Sequence, residues 1–203
     1  MFYEPMKGDH GLPHDPFKNL VIPRPIGWIS TYDESRRPNL APYSFFNAIA
    51  ADPPCVMFAA GRRPDGAAKD SQHGAEVNKA FVVNIVPYSL REAMHRTSND
   101  MPRGESEFTA AGLEAISARL VSAPMVKGAP AQLECAYLQT IALPPGRRTS
   151  GNYVVLGQVV GVHIDDELIV DGRVRMEAVR PVARLGYMDY GTIGEVFTMK
   201  GWS

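Results

Sequence analysis

Glycine and proline set the tightest limit on this chain. They supply 18 and 17 of its 203 residues, well above the roughly 12% of an average protein. Each one punctuates regular structure, so many turns between short strands are favoured over long helices. The hydrophobic share of 45% is enough to bury a core. The charged share of 21% is too small for a disordered chain. No repeat, low-complexity tract or polar linker divides the sequence. It reads as one domain over residues 20–190, with an N-terminal arm over 1–19 and a C-terminal tail over 191–203.

Strands are expected at residues 26–32, 40–47, 55–60, 80–86, 132–143 and 152–164. Pro42 pushes the second toward a sheet edge or a bulge, and Pro87 stops the fourth. Gly157 and Gly161 allow bulges or close backbone approach in the last. Ser89 with Glu92 forms a capping-box pattern that opens a helix to about Thr97. Shorter helices are expected over 71–79, with Gly74 inside, and over 106–111, closed by Gly112. Residues 180–190 read as irregular. Dense, short, turn-punctuated strands point to a closed or split β-barrel.

Charge and motifs remove several function classes. Lys and Arg number 21 against 22 Asp and Glu, so there is no broad basic field for non-specific nucleic-acid binding. No apolar run approaches the ~18–20 residues of a membrane span, and the N-terminus lacks the charged-then-apolar order of a signal peptide. A cytoplasmic location is the default expectation. G-x-G-x-x-G and G-x-S-x-G are absent. Gly61 and Gly66 have P-loop spacing, but Ala67 and Ala68 replace the required Lys and Ser/Thr. His10 and His14 have Gly11 and Pro13 between them, so they cannot share a helix face as zinc ligands do. No metal site is expected. Cys55 and Cys135 lie in separate apolar strands and read as buried thiols without a disulfide.

One ordered constellation is far more specific. Residues 23–31 read PRPIGWIST, and 39–47 read NLAPYSFFN. Asp52-Pro53-Pro54, Lys69-Asp70-Ser71 and Phe81-Val82-Val83-Asn84 follow. Then come Ser106-Glu107-Phe108, Ala111-Gly112-Leu113, residues 156–163 (LGQVVGVH) and Arg184-Leu185-Gly186. From about residue 20 to 190 this resembles the flavin-reductase-like family, in its flavoprotein-oxygenase branch. The resemblance implies a mainly β fold, an FMN-binding split β-barrel with a six-stranded Greek-key core, a few short helices and terminal extensions. It also implies a homodimer with flavin sites near the subunit interface. Three positions depart from the usual pattern: Gly74 where relatives carry Asn, Asn152 where free-flavin reductases often carry His, and Tyr187 where a second Gly is usual.

FMN needs cations, hydroxyls and free N–H groups for its phosphate, small polar partners for its ribityl chain, and a flat apolar face with N–H donors for its ring. Ser30 and Thr31 present adjacent hydroxyls, one of which can face the ribityl or phosphate because strand side chains alternate. Asn39, Ala41, Pro42, Tyr43 and Ser44 form a stretch where backbone can approach a ring, with Ala41, Tyr43 and Ser44 as donors. Trp28 either packs on the flavin or fills the barrel. Lys69, Asp70 and Ser71 sit where a helix begins. There Lys69 and Ser71 suit a phosphate, and Asp70 suits a cap or an ion pair. His163 is a further cofactor-site candidate or a satisfied strand-end histidine. Arg184 either binds phosphate or nicotinamide, or pairs with a carboxylate. The implied function is an FMN-dependent oxidoreductase drawing on NADH or NADPH and passing electrons to free flavin, a metal chelate, oxygen or a partner protein. The alternative is an FMN-binding electron-transfer protein without its own nicotinamide site. Hydride transfer asks for positioning rather than a side-chain acid or base, so no catalytic residue is named.

Overall fold

The computed structural model describes residues 1–99, 101, 105–147, 151–199 and 201. The strands are β1 (Arg24–Pro25), β2 (Gly27–Tyr32), β3 (Pro38–Tyr43), β4 (Phe46–Ala51), β5 (Pro54–Ala60), β6 (Ala80–Ile85), β7 (Ala115–Ser117), β8 (Pro124–Val126), β9 (Ala131–Ala142), β10 (Tyr153–Ile164), β11 (Ile169–Val170), β12 (Arg173–Val174), β13 (Ala183–Gly186) and β14 (Asp189–Gly191). The helices are α1 (Phe17–Leu20), α2 (Asp70–Asn78), α3 (Arg91–Arg96) and α4 (Glu107–Ala111).

Among the described residues, the main sheet has seven strands in the order β3-β2-β6-β9-β10-β5-β4, and every neighbouring pair is antiparallel. Its two ends curl toward each other. A Cβ on Gly27 of β2 would lie 2.6 Å from the Phe46 ring of β4, and the rings of Tyr43 and Phe58 stand 5.0 Å apart. Ile29, Phe58, Phe81, Val83 and Val155 fill one side of the curled sheet. On the opposite side, Trp28, Leu40, Met94, Phe108 and Val182 form a second core beneath α3 and α4. Strand alternation explains the division, since Trp28 and Ile29 point to opposite faces. Both faces are covered, and β6 reads as the near-continuous apolar run AFVVNI.

Several expectations are refined. The stretch 40–47 is not one strand: it breaks at Ser44-Phe45 into β3 and β4, which accounts for a seventh strand beside the expected six. β10 carries register shifts at Leu156/Gly157 and Val159/Gly161, and at Gly157 a Cβ would meet the Phe81 ring at 2.4 Å. The capping box does not form. Residues 88–90 make a 3-10 turn and Leu90 becomes the N-cap of α3, with no side-chain cap on either element, while Glu92 lies 3.4 Å from Arg91. Residues 180–190 are not irregular throughout: β13 pairs with β14 and with β1. Their connection needs a left-handed backbone at Tyr187, whose φ is +41°. Both cysteines are free, and burial pushes the Cys135 thiol pKa far up. Of the tail, residues 200, 202 and 203 lie outside the described residues.

Gly74 explains its own departure from the resemblance. It sits in α2 directly against β2, where a Cβ would lie 2.6 Å from both Thr31 Oγ1 and the Tyr32 carbonyl oxygen. Asn78 Nδ2 donates to that same carbonyl at 2.7 Å. Replacing Gly74 with Ala would gain about 1 kcal/mol of helix propensity, but it forces a main-chain displacement. Overpacking of this kind costs about 1–3 kcal/mol or more. Gly74→Ala is therefore expected to lower the urea unfolding midpoint; an equal or higher midpoint would show that α2 stands off from β2.

Candidate functional site

The N-terminus of α2 meets the edge strand β3 at a cavity of about 120 Å³. Lys69 is the N-cap residue, with extended backbone (φ −62°, ψ 147°) and no side-chain cap on the helix. Asp70 does not cap either; it pairs with Arg63, which also donates to the Met101 carbonyl at 3.2 Å. Ser71 Oγ accepts a hydrogen bond from Asn39 Nδ2 at 2.9 Å, and the same amide nitrogen lies 3.3 Å from Thr31 Oγ1. Asn39, Ala41, Pro42, Tyr43, Lys69, Asp70 and Ser71 thus come together on one cavity wall. Thr97, Ser98 and Asn99 face them.

A second cavity of about 280 Å³ continues from the first along Pro42 and Ser98. It adds Ser44 and Arg184 from the expected set, with Met94, His95, Met188 and Tyr190. Among the described residues Arg184 has no carboxylate partner. Its guanidinium donates to the Tyr187 carbonyl and stands 4.4 Å from the Tyr190 ring centroid. The two cavities form one groove along the outer edge of β3.

Antiparallel alternation decides which N–H groups reach that groove. The Leu40 N–H donates outward, to Glu107 Oε2 at 3.1 Å. Ala41 and Tyr43 have the opposite parity and pair with Ile29 and Gly27 of β2, so their N–H groups face the ladder. Of the donors expected here, Ser44 alone lies beyond the ladder. Pro42 occupies an outward position where its missing N–H leaves nothing unsatisfied.

Four expected residues do not line the groove. Trp28 is wholly buried, with its indole N–H donating to Thr97 Oγ1 at 2.9 Å. It packs beneath α3 and α4, neither on the groove nor inside the curl of the sheet. Ser30 is equally buried; its Oγ donates to the Pro124 carbonyl at 2.5 Å and accepts from Asn84 Nδ2 at 2.9 Å. Thr31 is buried under α2 at Gly74. His163 Nε2 contacts buried Glu134 at 2.5 Å. Three backbone N–H groups, of Arg119, Leu120 and Val121, also hold that carboxylate. Burial raises the Glu134 pKa, but His163 and the backbone donors outweigh it and the net shift is down. Glu134, with His163 on its carboxylate, anchors the 119–121 loop.

Several groove residues lie outside the expected set, among them Arg63, Thr97, Ser98 and His95, and the acid among them is Glu107. It is 8% exposed and lines the first cavity. Its signal lay in the Ser106-Glu107-Phe108 motif: an acid in the first turn of a short helix whose neighbours are buried.

The flavin reductase like domain family matches residues 19–179. The protein BH2278 of Halalkalibacterium halodurans is 35% identical over 180 residues, spanning 88% of this chain and 86% of that protein. Nitrilotriacetate monooxygenase component B from Bacillus cereus superposes with a TM-score of 0.88 at 31% identity, covering 98% of each chain. The 2-nitrobenzoate 2-nitroreductase NbaA of Pseudomonas fluorescens superposes with a TM-score of 0.82 at 26% identity, covering 98% of this chain and 96% of the other.

Burial pushes the Glu107 carboxyl above the ordinary glutamate range, against the lowering pull of its own and the Leu40 N–H groups; Asp70 adds to the rise and Arg63 opposes it. A raised folded-state pKa stabilises the fold below the unfolded value of about 4.3. That stability is lost as pH rises through the folded value. Glu107→Gln keeps the shape and removes the buried charge. The variant is therefore expected to melt above the wild type at pH 8, with the gap closing by pH 4. A variant that melts lower at pH 8 would mean that Arg63 holds the ionised carboxylate favourably.

Proposed function

Because this chain belongs to the flavin reductase-like family, we propose that it is an FMN-dependent oxidoreductase. It draws reducing equivalents from NADH or NADPH and passes them to a small acceptor or a partner protein. The observation that carries this reading is the groove, with Lys69 and the uncapped N-terminus of α2 at one end, the edge of β3 along its length, and room beyond for a second ligand. The residues fit FMN. The first N–H groups of a helix lack intrahelical partners and carry partial positive charge. Here no side chain caps α2, and Lys69 adds a full charge. Ser71 is held at the same end by Asn39. When bound, FMN supplies hydride-accepting and electron-donating chemistry that none of these side chains possesses. The protein's part is to bind and orient. Lys69 and α2 fix the phosphate, the Ser44 N–H and the flat Pro42 edge receive the ring, and Met94 lines the middle of the groove.

The similarity to a nitrobenzoate nitroreductase and to a monooxygenase component supports a small-molecule or partner-coupled acceptor. We read the working form as a homodimer, in which a second copy covers the apolar residues Leu138, Ile141, Val160 and Val162 that β9 and β10 leave 40–57% exposed. A second reading, an FMN electron carrier without nicotinamide chemistry, draws on Asn152, which puts an amide where free-flavin reductases often carry an imidazole.

Two measurements test the proposal. Anaerobic mixing of the FMN form with NADH and with NADPH should bleach the flavin absorption. Bleaching by a reduced ferredoxin-like donor alone would select the carrier reading. Lys69→Ala should weaken FMN by about ten- to a hundred-fold, the loss of one charge-assisted bond, and leave riboflavin, which has no phosphate, nearly unchanged. Equal FMN affinity in both proteins, at low and moderate salt, would remove Lys69 from the site.

A further inference from the structure

The groove opens at its far end into a larger cavity of about 470 Å³. Met94, His95, Met188 and Tyr190 border both this cavity and the groove. Two guanidiniums stack on one ring at its wall: the Cζ atoms of Arg91 and Arg180 lie 4.1 Å and 4.3 Å from the Tyr88 centroid. Arg180 has no carboxylate partner among the described residues. Glu92, the single acid on the wall, lies 3.4 Å from Arg91 with its own side chain 68% exposed. Two like charges beside one ring, with one solvated carboxylate near Arg91, leave uncompensated positive charge.

The backbone supports this placement. Arg180 has a φ of +49°, a left-handed conformation unusual for a residue other than Gly or Asn, and it caps the 3-10 turn Met176–Val179. Cation–π attraction to Tyr88 contributes toward holding its side chain there. An anion at the cavity side of these guanidiniums would offset their charge. The planar fork of arginine matches a carboxylate in particular, through paired N–H···O bonds.

The rest of the wall asks for a flat apolar body. Met94, Val182 and Met188 present thioether and methyl groups, and Tyr190 presents a ring. Methionine sulfur packs favourably on aromatic edges. The phosphates of a dinucleotide usually call for backbone N–H groups in a glycine-rich turn before a helix. Gly191, the glycine on this wall, lies instead in β14.

We propose that this cavity binds an aromatic carboxylate, with its ring against Met94, Val182 and Met188 and its carboxylate on Arg91 and Arg180. This names a substrate class for the groove. It rests on the oxidoreductase reading for the fate of the ligand, but not for its capture.

Binding can therefore be measured without reduction. Calorimetric titration would use benzoate, benzamide, which keeps the ring without the charge, and cyclohexanecarboxylate, which keeps the charge without the flat ring. NADP⁺ serves as the dinucleotide probe. Wild-type protein should take benzoate at least about tenfold more tightly than either analogue. Arg91→Gln and Arg180→Asn (Asn tolerates the left-handed backbone) should each weaken benzoate by about tenfold, the loss of a charge-assisted bond. Glu92→Gln should tighten it by removing a repulsive charge. Absence of benzoate binding at millimolar concentration would overturn the proposal, as would arginine variants that bind benzoate like the wild type. Variants that lose NADP⁺ and keep benzoate would assign the cavity to a dinucleotide instead. Loss of bleaching by NADH and NADPH with benzoate binding intact would strike the oxidoreductase reading alone.

Discussion

The contact between α2 and β2 at Gly74 is the constraint on which the groove depends. With no side chain in the way, the helix lies directly on the strand, so its N-terminus arrives beside β3 rather than above it. That seat brings Ser71 within 2.9 Å of Asn39 and places Lys69 on the wall of the first cavity. A bulkier residue would lift the helix and separate its N-terminus from the edge strand. The same contact buries Thr31, which is why a hydroxyl that looked available in sequence is a packing partner of the helix. Asn78 reinforces the arrangement by tying the last turn of α2 to the Tyr32 and Gly74 carbonyls.

The edge of β3 carries the opposite requirement. An exposed edge would offer unpaired N–H and C=O groups to any passing strand. Here α4 covers part of it: Glu107 takes the Leu40 N–H, and Ser106 Oγ donates to the Pro38 carbonyl at 2.8 Å. Pro42 needs no partner for the N–H it lacks. What remains open is the short stretch around Ser44, where the chain turns into β4. The edge is thus closed to strand addition yet open to a small planar ligand. The buried acid that helps to close it carries a desolvation cost, offset in part by Arg63 across the cavity.

Much of this fold was legible before the structure. The strand positions, the helix over α2, the left-handed stop at Gly112 and the bulges in β10 follow from apolar runs, turn residues and glycine placement, which are local signals. Lys69, Ser71, Asn39 and Arg184 could be placed near one another through the ordered motifs. Trp28, Ser30 and His163 could not be separated from them by sequence, because their fate depends on partners 69, 94 and 29 residues away. Which amides face the groove depends on the pairing parity of β3 with β2, and the break at Ser44 hides that parity. The β13–β14 hairpin escaped notice because it consists of very short strands joined at a residue, Tyr187, that rarely adopts the backbone its turn requires.

The charge balance adds a last physical point. A chain of net charge −1 generates little long-range field, so anions are not gathered over its whole surface. Two cavities that share no lining residue each place cations beside acids, Arg63 and Lys69 with Asp70 and Glu107 at one end and Arg91 and Arg180 with Glu92 at the other. The cavity between them is bordered by the apolar Ile26, Pro42, Met94 and Met188 and by the polar Ser44, His95, Ser98 and Arg184. On the proposed reading a phosphate and a carboxylate are held at opposite ends by the local partners of each cavity, and a ring finds apolar contacts at Pro42 and Met94 in the middle. Selection in such a groove comes from short-range complementarity, which added salt screens far less than it would a diffuse basic surface.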